Sequence, residues 1–499
     1  MTPQSLLNSK WSFPLLCAAT LLLSFHQLFT AEYAFTDEAF QLWHNHDRTN
    51  FNGFFVQGRP ITALLLEKLY GSIDRIDSLK WLRLFSLGGW LITAPVYVAV
   101  LAHFIRIAQL PRILLLPLSV LIGGSASVAI YIGWAACAEV FIACLTGLLS
   151  GYCMFYIYHP DTPVKFRGYW ALGAIVAGLI SLLTYQSAFG AFLLPFFILF
   201  IGRQSSQYRT ATWRAIVMYG LIHIAYFVIF KKLISAYGIE ASDRTLLTRE
   251  PLRKIGFFFS TPLAQALSFN FLYNVKGLFS QLFYYGMLTI WAVSVFAGKP
   301  RPSLKAGLGH ILGVLVLMGL IFLPVLVSRE NFASYRTMFA LNIAGSVLLL
   351  NMLFSFVRHA GRQQWLALVT AFLFLVTAWY NTNNNFISPL ANEYQRLSTF
   401  LRDNYPKSNG RILVVRPPEA AFTALYGVKV YRDEFGMPST YKGWTPDPLI
   451  RQLVDELTGR YDAAVGLFLI NVKDQEALKD LPPGTFDDLL LLDIGALLQ

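Results

Sequence analysis

Long apolar runs separated by short polar connections dominate this chain. From Trp11 onward, stretches long enough to cross a bilayer as helices recur. They lie near residues 11–30, 84–105, 113–133, 140–158, 169–185, 188–202, 215–231, 278–297, 308–327, 338–357 and 365–381. The pattern predicts about eleven membrane helices. The runs are continuous rather than alternating, which argues against a closed barrel. The first could pass for a signal peptide, but it lacks a small-residue cleavage site and reads as a retained span.

Every second connection is short and basic: Arg106 to Arg112, Lys165/Arg167, Arg203/Arg209/Arg214, Lys299/Arg301/Lys305 and Arg358/Arg362. Lys10 precedes the first run on the same side, and Asp161 is the lone acid among these connections. An excess of Lys and Arg marks the cytoplasmic face. The N-terminus is therefore expected inside, and an odd number of spans carries the C-terminus to the outer side. That opposite face receives the long segments 31–80 and 232–277 and the tail from 382 to 499.

The fold expected is an α-helical polytopic membrane domain over 1–381 followed by a small extracytoplasmic α/β domain over 382–499. Within the tail, Leu390–Tyr405 has an amphipathic helical pattern, and Leu449–Leu457 reads as a second helix. Arg411–Val415 and Ala463–Ile470 read as buried strands. Asn381-Thr-Asn-Asn-Asn385 reads as the linker into this domain.

Composition agrees with a membrane protein. Hydrophobic residues make up 55% of the 499 and charged residues only 14%, where a soluble protein carries nearer a quarter charged. The net charge of +12 follows from the basic connections and does not call for nucleic acid. Cys17, Cys137, Cys144 and Cys153 all fall in apolar runs, so they read as small core residues rather than a disulfide framework.

Candidate chemistry concentrates where the first run ends. Asp37 and Glu38 form an acidic pair at a membrane exit, where ionised side chains are costly and usually mark a site. Either could deprotonate an acceptor hydroxyl, and a helix N-cap pair is the structural alternative. Asp37 is the preferred base, with Glu38 holding the acceptor or a metal. Gln57-Gly58-Arg59-Pro60 follows in the same loop. Pro60 can open a helix over Ile61–Leu69 lying along the membrane surface. Arg59 would stand at its N-terminus, a position that favours anions; it serves there either as a phosphate ligand or as a snorkelling interfacial arginine. His44-Asn-His46-Asp47 lacks a third ligand of defined spacing and is a weak metal signal. A divalent metal is compatible with the sequence but not required by it.

One span, then Thr-Asp-Glu, then Gln-Gly-Arg-Pro and a short amphipathic helix resembles the membrane glycosyltransferases of the GT-C fold. Among these the chain looks most like the bacterial Gtr-type glucosyltransferases that decorate O-antigen. The likeness at motif level covers only about residues 35–70, and the tail has no counterpart. The resemblance implies a polyprenyl-phosphate-linked hexose, with undecaprenyl-phosphate glucose foremost, as donor. It also implies a polysaccharide or lipopolysaccharide acceptor and inversion at the anomeric carbon. The family's second acid is often Asp where this chain has Glu38, so which carboxylate is the base stays open.

Other positions on the same face complete the expectation. Arg329 and Arg336, in the loop 328–337, break the positive-inside rule, and Tyr335/Arg336 suit either a phosphate clamp or simple interface anchoring. Arg83, near the end of the second run, could reach Asp37 or phosphate. Gln57, Glu139 and the hinge residues Tyr185 and Gln186 offer substrate contacts, while His223 and His310 read as core histidines. The loop 232–277 is basic and contains the apolar stretch Ile255–Phe259, which suggests a second surface helix near anionic lipid. No Walker-type loop is present, so no nucleotide is expected. A lipid-linked glycan transporter or flippase is the competing class and would instead bury ionisable groups mid-span. A GT-C enzyme modifying lipid A or protein, and a non-catalytic assembly protein, are further alternatives.

Overall fold

A computed structural model describes residues 11–47, 51–202, 205–238, 245–269, 272, 277–297, 302–357, 359–428, 435–479 and 489–499. Lys10, Arg203, Glu240, Asp243, Arg244, Lys276, Lys299, Arg301 and Arg358 lie outside the described residues, as do the side chains of His46 and Asp47.

Among the described residues, 9 helices are long and apolar enough to cross a membrane: Ile76–Ile107, Arg112–Gly133, Ala135–Tyr158, Val164–Thr184, Tyr208–Tyr237, Leu278–Ala297, Leu304–Ile321, Tyr335–Phe356 and Ala360–Lys407. Ser12–Ser24 and Gln186–Ile201 are apolar but shorter. Together they coincide one for one with the predicted runs, and the chain is a multi-pass helical membrane protein. Apolar periodicity could not show that two consecutive pairs of spans are separated by a single extended residue. Trp134 (φ −110°, ψ 106°) breaks the chain between Gly133 and Ala135. Tyr185 (φ −149°, ψ 102°) does the same between Thr184 and Gln186.

The first long loop is folded rather than open. It contains the helix Asp37–Trp43 and the expected surface helix, which runs Pro60–Tyr70 with Pro60 in its first turn. In the second long loop Pro251–Ser260 is helical, covering the predicted apolar stretch.

The asparagine-rich segment is not a loose linker. The helix Ala360–Thr382 passes through a π-helical turn, Asn383–Ile387, directly into Ser388–Asn404. Buried amides explain this: Asn381 Nδ2 donates to the Leu272 carbonyl at 2.5 Å and Asn383 Nδ2 to that of Ser24 at 3.0 Å. Asparagines that would favour a turn in water are recruited by orphan carbonyls of neighbouring helices.

In the tail, β1 (Arg411–Val415) matches the expected strand. The second does not. Tyr461–Val465 is a helical turn ended at Gly466, and β2 runs Phe468–Val472. The pair Ala463-Ala464 favours helix, and the strand begins only where bulky residues resume. A third strand, β3 (Leu490–Asp493), was not foreseen, because four residues give too short a pattern. All three are parallel in the order β2-β1-β3. The central β1 is buried at four of its five positions, as expected for a parallel strand covered on both faces. The helix Pro446–Thr458 packs beside the sheet and closes on Gly459 in the left-handed conformation (φ 63°).

This domain docks on the first long loop. Ser439 Oγ donates to the Ala34 carbonyl at 3.0 Å, Gln452 Nε2 to that of Asp74 at 2.7 Å, and Ile76 N donates to Glu456 Oε1 at 2.7 Å. The acidic pair therefore lies directly against the tail.

Candidate active site

The two adjacent carboxylates, indistinguishable in the sequence, have opposite environments. Glu38 is wholly buried. Its carboxylate accepts from Phe35 N at 2.6 Å, from Ala135 N, and from the Arg83 guanidinium. The Ala135 amide is an orphan donor at the helix start created by the Trp134 break, so Glu38 caps that break from another segment. Burial pushes the Glu38 carboxyl up, while the Arg83 charge and the two amides pull it back towards the ionised form. Arg83 also donates to the Tyr33 carbonyl at 2.9 Å and stacks 3.5 Å above the Tyr33 ring. Arg83 thus reaches Glu38, not Asp37, and neither member of this pair lines the cavity described next.

Asp37 is half-buried and opens the helix Asp37–Trp43. Its Oδ1 accepts from Trp444 Nε1 of the tail at 2.8 Å. The residue before it, Thr36, has φ 42°, uncommon for a β-branched side chain. The amide of Thr36 donates to Ser439 Oγ at 3.3 Å, so the tail helps hold the conformation that presents Asp37.

A cavity of about 360 Å³ gathers Gln57, Arg59, Tyr185, Gln186 and Arg336 from three separate parts of the chain. Each guanidinium rests on the aromatic residue of a helix break. Arg59 lies 4.5 Å over Tyr185, and Arg336 lies 4.3 Å over Trp134. The extended residue at each break thus turns a ring face into a seat for a cation. Arg59 Nε donates to Gln186 Oε1 at 3.0 Å, and Gln186 Nε2 returns to the Gln57 carbonyl at 2.7 Å. The opposite wall is apolar, with Leu182, Ile224, Val228, Leu323 and Val325. Ile224 and Val228 are also exposed on the outer surface of their helix. The cavity therefore has a cationic end and an apolar flank.

No family model, curated protein or solved structure matches this chain. The site has to be read from its own geometry.

Besides Glu38 and Arg83, three further expected positions fall outside the lining of this cavity. Tyr335, the first residue of its helix, turns its ring into the core and is buried, and its carbonyl accepts from Ser127 Oγ at 2.7 Å. Glu139 is buried behind the surface helix, where Thr62 Oγ1 lies 2.9 Å from its Oε1. Asp37 stands two residues after Phe35, whose ring meets Trp134 edge-on at 4.9 Å, and Trp134 carries Arg336. Among the described residues no group of three or more His, Cys, Asp and Glu is placed to hold a metal ion.

Four site residues escaped the sequence reading. Trp134, Tyr226 and Trp444 gave no local signal, since each acts on a residue far away in the chain. His223, expected in the core, does donate from Nδ1 to the Tyr219 carbonyl (2.9 Å), yet it also lines the cavity, its buried Nε2 lacking a hydrogen-bond partner among the described residues.

Gly58 explains the Gly-Arg-Pro spacing. Its φ of 73° is a left-handed conformation, and a Cβ there would run into the Tyr226 hydroxyl. Tyr226 and Gln186 both bond to the Gly58 carbonyl, at 3.1 and 3.2 Å. Gly58→Ala is expected to cost about 1–2 kcal/mol in backbone strain alone, and to displace Arg59 as Tyr226 moves. A thermal-shift measurement on the variant checks the first effect; an unchanged midpoint would contradict it.

Proposed function

We propose that this protein is an inverting hexosyltransferase of the GT-C type. It takes a hexose, glucose in the first instance, from a polyprenyl-phosphate carrier and passes it to a cell-surface polysaccharide or lipopolysaccharide O-antigen. The observation that carries this reading is the pair of guanidiniums, Arg59 and Arg336, facing one cavity with an apolar flank. A phosphate attached to a long hydrocarbon chain needs that combination: paired forks for its oxygens and a lipid-facing wall for its chain.

The chemistry assigned to the residues is as follows. Asp37 removes the proton from the acceptor hydroxyl, and the freed oxygen attacks the anomeric carbon from the face opposite the phosphate. The bond from that carbon to the phosphate oxygen breaks. Polyprenyl phosphate leaves, with its added charge held by Arg59 and Arg336. Tyr185 and Gln186 fix Arg59, Trp134 seats Arg336, and Gln57, Tyr185 and Gln186 contact the hexose. The basic short connections favour a cytoplasmic N-terminus in a bacterial inner membrane, with Asp37, the cavity and the tail facing the periplasm.

The test is transfer by purified full-length protein in nanodiscs, with undecaprenyl-phosphate glucose as donor and delipidated O-polysaccharide as acceptor. Labelled hexose in the polysaccharide is the expected result. Failure with undecaprenyl-phosphate glucose, galactose and mannose alike would reject the reading. Arg336→Ala is expected to lower kcat/KM for the donor by a factor of about 10² while the protein remains folded. Arg59→Lys tests the second clamp. It keeps the charge but loses the planar fork that stacks on Tyr185, so its donor KM should rise.

A further inference from the structure

Beside the donor cavity lies a larger one of about 810 Å³ that the transferase reading does not use. Phe227, Phe230, Thr245 and Leu247 line both, forming a common wall. Among the described residues, the rim of the larger cavity carries four cations, Lys231, Arg249, Arg253 and Arg329, against a single acid, Glu250. Glu250 is engaged by Arg253 at 3.0 Å. Lys231 stands 5.5 Å over the Phe227 ring. The charge is therefore strongly one-sided, and the floor beneath it is aromatic and aliphatic.

One bank of this cavity is the helix Pro251–Ser260. It exposes Leu252 (82%), Ile255 and Phe259, which fall on one stripe, while Lys254 and Phe258 are buried. Lys254 Nζ donates to the Glu330 carbonyl at 2.7 Å and fastens the helix to the segment bearing Arg329. A helix with such a stripe lies in the bilayer interface with its apolar side immersed. The neighbouring cations then stand at the depth of lipid headgroups, where an anionic surface attracts them.

We propose that this basic vestibule is a binding site for the phosphate of an anionic lipid, whose hydrocarbon chain lies along the Phe227–Ile234 side of its helix. The chemistry is shared by an anionic phospholipid and by the polyprenyl phosphate itself. The first would be a resident lipid; the second would be carrier on its way into or out of the donor cavity. The proposal does not depend on hexose transfer.

Native mass spectrometry of the full-length protein tests it, with phosphatidylglycerol and undecaprenyl phosphate offered separately and phosphatidylcholine as the neutral reference. The measurements are made in an Arg59→Ala/Arg336→Ala background, so that the donor cavity does not contribute. Retention of at least one anionic lipid above the reference is expected, and which one is retained names the source. Arg249→Gln/Arg253→Gln should lower that retention by about tenfold, given the attraction of each basic residue to anionic lipid. Lys165→Gln/Lys305→Gln, on connections elsewhere, should not change it. The substituted arginines are exposed on the surface, and size-exclusion profiles confirm folding. Retention of neither lipid above the reference, or equal retention by the two double variants, overturns the proposal.

Discussion

Replacing Asp37 with Asn is expected to slow hexose transfer by a factor of about 10²–10⁴, the usual contribution of a positioned general base, with little change in stability. The structure gives reasons for both halves of that expectation. Asp37 is half-exposed, and its hydrogen bond comes from Trp444 Nε1. An asparagine Oδ1 accepts the same N–H, so the contact with the tail survives while the basic oxygen is lost. The strained Thr36 and its bond to Ser439 remain in place. Single-turnover rates with saturating donor, compared with donor binding, separate the chemical step from affinity. A D37N enzyme that transfers at the wild-type rate would remove Asp37 from the mechanism. Trp444→Phe keeps a ring but not the N–H. It should produce a smaller loss of about tenfold, in line with one hydrogen bond to a charged group, and in the turnover number rather than in donor KM.

The apolar runs made the membrane domain legible, because bilayer thickness imposes a length on every helix. The Gly-Arg-Pro motif was legible for a similar reason: Gly58 and Pro60 fix local backbone, and Arg59 follows from them. What the sequence could not express was pairing across the chain. Trp134 and Tyr185 look like ordinary interfacial aromatics until Arg336 and Arg59 are seen resting on them. The tail showed its central strand, whose burial is continuous, but not β3 or the way the loop bearing Trp444 reaches Asp37. Nor did the order Asp-Glu say which acid faces water. A single residue step around the helix separates exposure from burial, and only packing against Ala135 and Arg83 decides it.

That division makes Glu38 a stability residue, and a strong prediction follows from its partner. Arg83→Met is expected to destabilise the folded protein by about 3–5 kcal/mol, the usual cost of breaking a buried ion pair from one side. Side-chain exposures of 1% for Arg83 and 0% for Glu38 leave no solvent to screen the orphaned carboxylate. Its two remaining donors, Phe35 N and Ala135 N, are neutral amides and cannot replace the guanidinium. Glu38→Gln should cost a comparable amount by stranding the arginine, whose Nε and Nη1 already lack hydrogen-bond partners. In the double variant no charge is stranded, so its loss should be smaller than the sum of the two single losses. Unfolding of all four proteins in mild detergent measures the cycle. Additive losses would show that the pair is not coupled and that Glu38 is held by the backbone amides alone. Transfer by the folded fraction of Glu38→Gln then separates the two acids functionally: a turnover number near wild type leaves proton transfer to Asp37, whereas a fall matching that of D37N would return Glu38 to the reaction.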